Sequence, residues 1–268
     1  MSTFNLDLNG RRAGMIRDII GAFNGAAPEA APTDISVDCG AGMSRDFYMW
    51  VASGFTEAAA RASGAIEPVP ATPGARRLEF TSALIAALAL PPLDKSVKNP
   101  AMMTVKISPD ILRSTSPDTS SRAGPSFKPW FVNDFRLQID GLEAECKQIA
   151  SVSAVSRKTR ISQRASGASR AWENVVASGE FSPIVITLPA SASDGFQAWV
   201  ENSAKGGSIW EKDGSLEYLG PGGGRPYFQL DLRRLGVTRL SRTSRGAVKI
   251  EMYCEKISFF AQAAAFGN

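Results

Sequence analysis

The chain has 268 residues, 44% hydrophobic and 21% charged, with a net charge of +4 at pH 7 and no histidine. That length suits one large domain or two small ones, and about 73% of the extended chain's surface would be buried on folding, so no staples are required. The missing histidine excludes Ser-His-Asp and Cys-His nucleophile pairs and His-containing zinc sites, and removes the one side chain that titrates near neutrality unperturbed.

From the N-terminus, Phe4-Asn-Leu6-Asp-Leu8-Asn-Gly10 alternates apolar and polar residues and ends on a turn glycine, the pattern of a half-buried strand. The same stretch, with Asp7 and three arginines by position 17, lacks the apolar core of a signal peptide. Ile35-Ser-Val37 reads as a second strand. Ser44 can cap a helix with Asp46 in its first turn, placing Phe47, Trp50, Val51 and Phe55 on one face. Leu78-Glu-Phe80 is strand-like. Residues 83–90 are ambiguous, since Ala and Leu favour a helix while the corresponding segment 233–240 does not; a strand or turn is expected. Pro91 and Pro92 end that stretch far short of a membrane span. Met103-Thr-Val105-Lys-Ile107 alternates again. Residues 114–125 are rich in Ser, Pro and Gly with almost no apolar side chains, which is linker composition.

Beyond the linker the pattern returns. Phe135-Arg-Leu137-Gln-Ile139-Asp-Gly141 matches the opening strand. Ile184-Val-Ile186 followed by Phe196-Gln-Ala-Trp199-Val200 matches Ile35-Ser-Val37 followed by Phe47-Tyr-Met-Trp50-Val51. Phe228-Gln-Leu230 matches Leu78-Glu-Phe80, 150 residues on, and Val248-Lys-Ile250-Glu-Met252 resembles Met103–Ile107. Four matches in one order predict a duplication. The domains are expected at 1–112 and 129–268, joined by a linker at 113–128. Ser193 or Asp194 can cap the second helix, and Val248, Ile250, Met252 and Cys254 form the apolar face of a half-buried strand. The expected class is β-rich α+β: two tandem small β-barrels or sandwiches, each with one packed helix.

No catalytic constellation is visible. Gly220-Pro-Gly-Gly-Gly224-Arg225 lacks a Walker lysine and a following helix, so it reads as a hairpin loop. Asp213-Gly214 lacks the spaced carboxylates of a calcium loop. The pairs Glu143/Glu145 and Asp38/Asp46 are ordinary solvated charges. Cys39, Cys146 and Cys254 are too few and too far apart for a disulfide framework or a zinc site, and are expected to be buried reduced thiols. No enzyme activity, metal or cofactor is expected.

Charge is unevenly placed. Between Lys147 and Ala171 there is no acid, while Arg157, Lys158, Arg160, Arg164 and Arg170 lie there; Arg233, Arg234, Arg239, Arg242 and Arg245 form a second cluster opposed in sequence only by Asp231. Either these form an electrostatic surface for an acidic subunit, a nucleic acid or a neighbouring ring, or they keep an exposed hairpin soluble. The first cluster has no interleaved aromatic residue before Trp172 for base stacking, which counts against nucleic acid.

The opening Phe-x-Leu-x-Leu-x-Gly strand, the helix around Phe47–Val51, the run from Leu78-Glu-Phe80 to Leu93-Asp-Lys-Ser-Val-Lys98 and the passage Phe131–Gly141 resemble bacteriophage tail-tube proteins and the tube-like proteins of contractile injection systems. The resemblance implies small β-barrels with one flanking helix. It also implies a basic hairpin near 150–172, and rings, trimeric or hexameric, stacked around a lumen holding DNA or protein cargo. It implies neighbouring tail-tube, hub or baseplate partners, tandem domains being associated with hub-type components, and a location in the cytoplasm during assembly and then in the particle. A basic β-barrel module that binds nucleic acid is the alternative. No membrane span is expected.

Overall fold

The computed structural model describes residues 3–21, 33–56, 59–71, 75–117, 124, 127–166, 171–204, 210–244 and 246–267. The first half of the chain folds as β1 (Thr3–Leu8), β2 (Arg11–Ile16), β3 (Asp18–Ile20), β4 (Ile35–Cys39), α1 (Arg45–Ser53), β5 (Ala62–Val69), β6 (Arg77–Leu90), β7 (Leu93–Asp94), β8 (Met103–Ser108) and β9 (Ile111–Thr115). The second half follows as β10 (Phe135–Ile139), α2 (Glu143–Lys147), β11 (Ser151–Val152), β12 (Val155–Ser166), β13 (Ala171–Phe181), β14 (Ile184–Pro189), α3 (Asp194–Ala204), β15 (Lys212–Leu219), β16 (Pro226–Arg242) and β17 (Ala247–Ala261). The protein is β-rich α+β. Strand β9 runs into the segment that composition marks as linker, because its edge is paired to β6.

The elements form where the pattern demands them. Ser44 accepts a hydrogen bond from the Phe47 amide at 3.2 Å and starts α1, whose buried face carries Phe47, Tyr48, Trp50 and Val51. In α3, Phe196 and Trp199 are buried on the matching face. The ambiguous stretch 83–90 is strand, the inner end of β6. Strand β8 on one edge satisfies its backbone there, and its Ala and Leu side chains are almost all buried. Tertiary pairing has overridden helix propensity.

Two curled sheets result. In the first, β1, β5, β6, β8, β4 and β3 are successive neighbours; in the second, β10, β15, β16, β17, β14 and β11 follow in the same order. The registers also repeat. Leu6 opposite Ile66 corresponds to Leu137 opposite Leu216, and Val37 opposite Val105 corresponds to Ile186 opposite Ile250. Both long strands bulge at the same place. Ser82 and Arg234 hold left-handed backbone angles (φ 54° and 57°). The Ser82 amide donates to Ser63 Oγ at 3.0 Å, and the Arg234 amide to Asp213 Oδ1 at 2.9 Å. A second bulge follows in each, after Ile85 and after Val237.

This register corrects one sequence match. Leu78 lies opposite Ile66 as Leu230 lies opposite Leu216, so Leu78 is equivalent to Leu230, two residues beyond the expected Phe228. Alternating strands superpose under a two-residue slip without changing face, so the pattern alone is blind to it.

The halves also differ among the described residues. After the turn at Gly10 the chain makes β2, whereas after the equivalent Gly141 it makes α2. The strand that is continuous as β17 is broken at Pro109-Asp110 into β8 and β9. The hairpin of β12 and β13 lies only in the second half, among the described residues. One apolar core runs through both halves. Helix α1 and the turn after it lie between them: the Trp50 ring is parallel to Phe80 of its own sheet, while Tyr48 packs on Phe228 and Phe266, and Phe55 in the turn on Phe181 and Phe259, all from the second half.

Candidate assembly interface

The halves are joined by exchanged strands. Residues 87–90 of β6 carry β8 on one edge and β12 on the other, with Ala87 opposite Lys158 and Leu90 opposite Val155. Directly after β6, β7 crosses to the second sheet and pairs with β11, Leu93 opposite Val152 and Asp94 opposite Ser151. Each half thus completes the other's sheet.

The hairpin is fastened beyond its base. The break at Pro109-Asp110 turns two acceptors outward: the Asn174 amide donates to Asp110 Oδ1 at 2.8 Å, and its side-chain Nδ2 to the Pro109 carbonyl at 2.9 Å. Arg61 closes the clamp with ion pairs to Asp110 at 2.7 Å and Glu173 at 3.2 Å and a hydrogen bond to the Asn174 carbonyl. These residues lie far apart in sequence, and nothing in the pattern announces them.

The basic residues are dispersed by this arrangement. Arg157 is only 7% exposed, packed over the Phe181 ring at 5.8 Å. Lys158 and Arg164 are exposed, and Arg160 pairs with Glu180 across the hairpin at 2.9 Å. Arg170 and Arg245 lie outside the described residues. In the second cluster, Arg233 pairs with Asp213 at 2.7 Å, and Arg234 with Glu211 at 2.6 Å and Glu255 at 2.7 Å. The sequence shows only Asp231 near these arginines, but strand pairing brings Asp213 of β15, Glu255 of β17 and Glu211, just before β15, beside them. Hydrogen bonds from Arg234 hold the Glu211 and Asp213 carboxyls below the usual range, and burial followed by the Glu211 contact pushes Tyr253 up to about 12. Within the second cluster, Arg239 and Arg242 are exposed with no ion pair among the described residues.

Those two arginines flank the counterpart of the junction. Residues 239–242 of β16 are equivalent to 87–90 of β6 and pair with β17 on one side; on the side where β6 carries β12, no described strand lies. Strand β3 is the counterpart of β11, with Ile19 opposite Val37 as Val152 is opposite Ile186. Its outer edge, where β11 carries β7, is likewise bare among the described residues, and Ile20 there is 64% exposed.

The remaining chemistry is modest. All three cysteines are free and buried, and desolvation pushes Cys146 and Cys254 up to about 11 and Cys39 further still, so none supplies a thiolate at neutral pH. The glycine-rich segment 220–224 is the hairpin loop between β15 and β16. Among the described residues no helix is long and apolar enough to cross a membrane.

With the class defined as β-rich α+β with a repeated strand order, likeness to known proteins is faint. No family profile and no curated protein matches the chain. Among solved structures it is similar to a chain of the anti-feeding prophage baseplate, at 10% identity over 66% of this chain and 93% of that one, with a TM-score of 0.33. It is similar to Hcp1 from Flavobacterium johnsoniae at 13% identity over 48% of this chain and 95% of that one, TM-score 0.29. Hcp1 from E. coli EAEC 042 gives 11% identity, 50% and 94% coverage, and a TM-score of 0.30. Neither identity nor role follows from superpositions at that level.

Proposed function

We propose that this protein is a non-enzymatic structural component that joins copies of itself head to tail, as a ring- or tube-forming part of a phage tail or tail-like injection particle. In this reading the two halves, 1–112 and 129–268, are duplicated tail-tube-like domains, and neighbouring tube, hub or baseplate proteins are further partners. One observation carries it. The junction inside the chain uses a β6 edge and a β11 edge, and the equivalent edges of β16 and β3 are bare at the two outer ends. In a head-to-tail assembly the bare β16 edge of one copy and the bare β3 edge of the next are brought together; β12 and β7, which bridge the corresponding edges inside the chain, have no counterpart among the described residues. Head-to-tail contacts of this kind close into a ring when the rotation closes and otherwise grow as a filament. Covering bare strand edges also removes a template for aggregation. Against the nucleic-acid reading, Arg233 and Arg234 are already neutralised by acids and Arg157 is buried.

The test is light scattering on the size-fractionated protein, with electron microscopy of the peak. Wild type should run as a closed oligomer. Ile20→Lys, which puts a charge on an exposed edge position, should give a monomer with an unchanged melting temperature. A wild-type protein that stays monomeric at every concentration would sink the reading.

A further inference from the structure

A groove of about 1260 Å³ runs between α1, β13 and the far end of β17. Phe55, Phe181 and Phe259 line one part of it and Ser53, Ser178 and the exposed Lys256 another, while Met49 and Phe260 stand at its rim, 60% and 46% exposed. These two exposed apolar side chains stand on either side of the groove opening. Arg157 also lines the groove, and its guanidinium is incompletely satisfied. Nη1 donates to Thr159 Oγ1 at 3.3 Å and Nη2 to the Thr56 carbonyl at 3.5 Å, both long, and buried Nε has no partner. No carboxylate pairs with it among the described residues. Glu255, the acid that shares the groove, is held by Arg234, and Glu180, next in sequence to Gly179, by Arg160.

The position is built rather than incidental. A Cβ on Gly179 would come within 2.5 Å of Arg157 Nη2, so the glycine reserves space for the guanidinium, and Phe181 supports it from below. Burying a cation without a counter-ion is costly, and desolvation accordingly lowers the Arg157 pKa. The guanidinium of Arg157 lines a partly apolar groove, and its terminal nitrogens carry N–H groups beyond those given to Thr159 and Thr56, which suit a carboxylate.

We propose that this groove is a docking site for an apolar segment of a partner protein, whose Asp or Glu carboxylate pairs with Arg157. The site is separate from the open edges of β3 and β16 and does not depend on self-assembly. Apolar side chains of the segment would cover the exposed Met49 and Phe260 at the rim, excluding water and strengthening the ion pair at the floor.

The probe is a capped Phe-Glu-Phe tripeptide, compared with its Phe-Gln-Phe counterpart and with decanoate, followed by the Met49 methyl and Arg157 Nε–H resonances. The Glu peptide should give saturable shifts of both and bind at least about tenfold more tightly than the Gln peptide. Arg157→Gln should abolish that preference. Arg157→Met should keep or raise the melting temperature, because an uncompensated charge is replaced by an apolar chain of similar length. Equal binding of the Glu and Gln peptides, or no saturable shift, overturns the proposal. A marked preference for decanoate would make the ligand a lipid and also overturns it. So does a fall in the melting temperature of Arg157→Met, which would give the arginine a purely structural role. If Arg157→Gln changes the oligomeric state of the protein alone, the groove is filled by a second copy and no separate partner is involved.

Discussion

Helices α1 and α3 start from the same local code and end in different surroundings. Each buries a Phe and a Trp against its own sheet, and each Trp indole donates to a backbone carbonyl just beyond the helix, Trp50 to Ala60 at 3.0 Å and Trp199 to Trp210. The second face differs. In α1 it carries Tyr48, wedged against Phe228 and Phe266 of the other half, whereas α3 has the half-buried Gln197 at the equivalent position. A repeated helix is therefore apolar on two faces where the chain itself supplies a neighbour, and polar on one of them where it does not.

The contrast can be tested directly. Trp50→Ala and Trp199→Ala should each cost about 3–5 kcal/mol in denaturant unfolding, since the shared face is core in both halves. A near-neutral result for either would mean that its helix is not packed as described. Tyr48→Ala should cost about 3 kcal/mol and Gln197→Ala about 0.5 kcal/mol or less. Similar losses for that pair would erase the distinction between the helices.

The paired glycines give the next effect. A Cβ on Gly64 would meet the Asp7 carbonyl at 2.0 Å, and one on Gly214 the Gln138 carbonyl at 2.4 Å, the equivalent contacts of β5 on β1 and of β15 on β10. Gly64→Ala and Gly214→Ala should each lower stability by about 1–3 kcal/mol, Gly64→Ala the more, measured by thermal melts. The smallest effect concerns the shared bulge. Ser63→Ala should cost about 1 kcal/mol at any pH, since a neutral hydroxyl accepts the bulge amide. Asp213→Asn should matter only where the carboxylate is ionised. Its folded pKa is lowered, so its contribution is present above the unfolded value and is lost as pH falls through the folded one. Melts at neutral pH and in strong acid should converge for Asp213→Asn and wild type at the acidic end; a constant gap would remove the role of its charge.

Much of this was legible in sequence, for identifiable reasons. Phe47, Trp50, Phe196 and Trp199 at helical spacing, and Val248 to Cys254 at strand spacing, define faces whose burial depends only on local geometry. The equivalence of Leu78 with Leu230 was not legible, because alternating strands superpose under a two-residue slip, and the bulges at Ser82 and Arg234 that mark the same register fall on residues that are not glycines and do not flag a left-handed backbone. The hairpin around Arg157 to Arg164 was visible as a basic run. Its docking on β6 was not, since the pairing of Lys158 with Ala87 and the clamp of Arg61, Asp110 and Asn174 join distant segments without any periodic signal. Arg157 read as surface because charge alone gives no sign of burial; Phe181 and Gly179, the residues that make room for it, lie on the next strand.

The exchange of β7 and β12 also has a consequence in time. Residues 87–90 leave the ribosome well before residues 155–158, and at about 5–20 residues per second the nascent edge of β6 waits on the order of seconds for the strand that will cover it. During that interval the growing polypeptide carries a sheet margin built from Ala and Leu, with no charge along it, at which a neighbouring nascent chain on the same message could pair. Swapping strands between the halves makes a firm joint in the finished molecule and leaves its synthesis dependent on completing the second half before the first is safe.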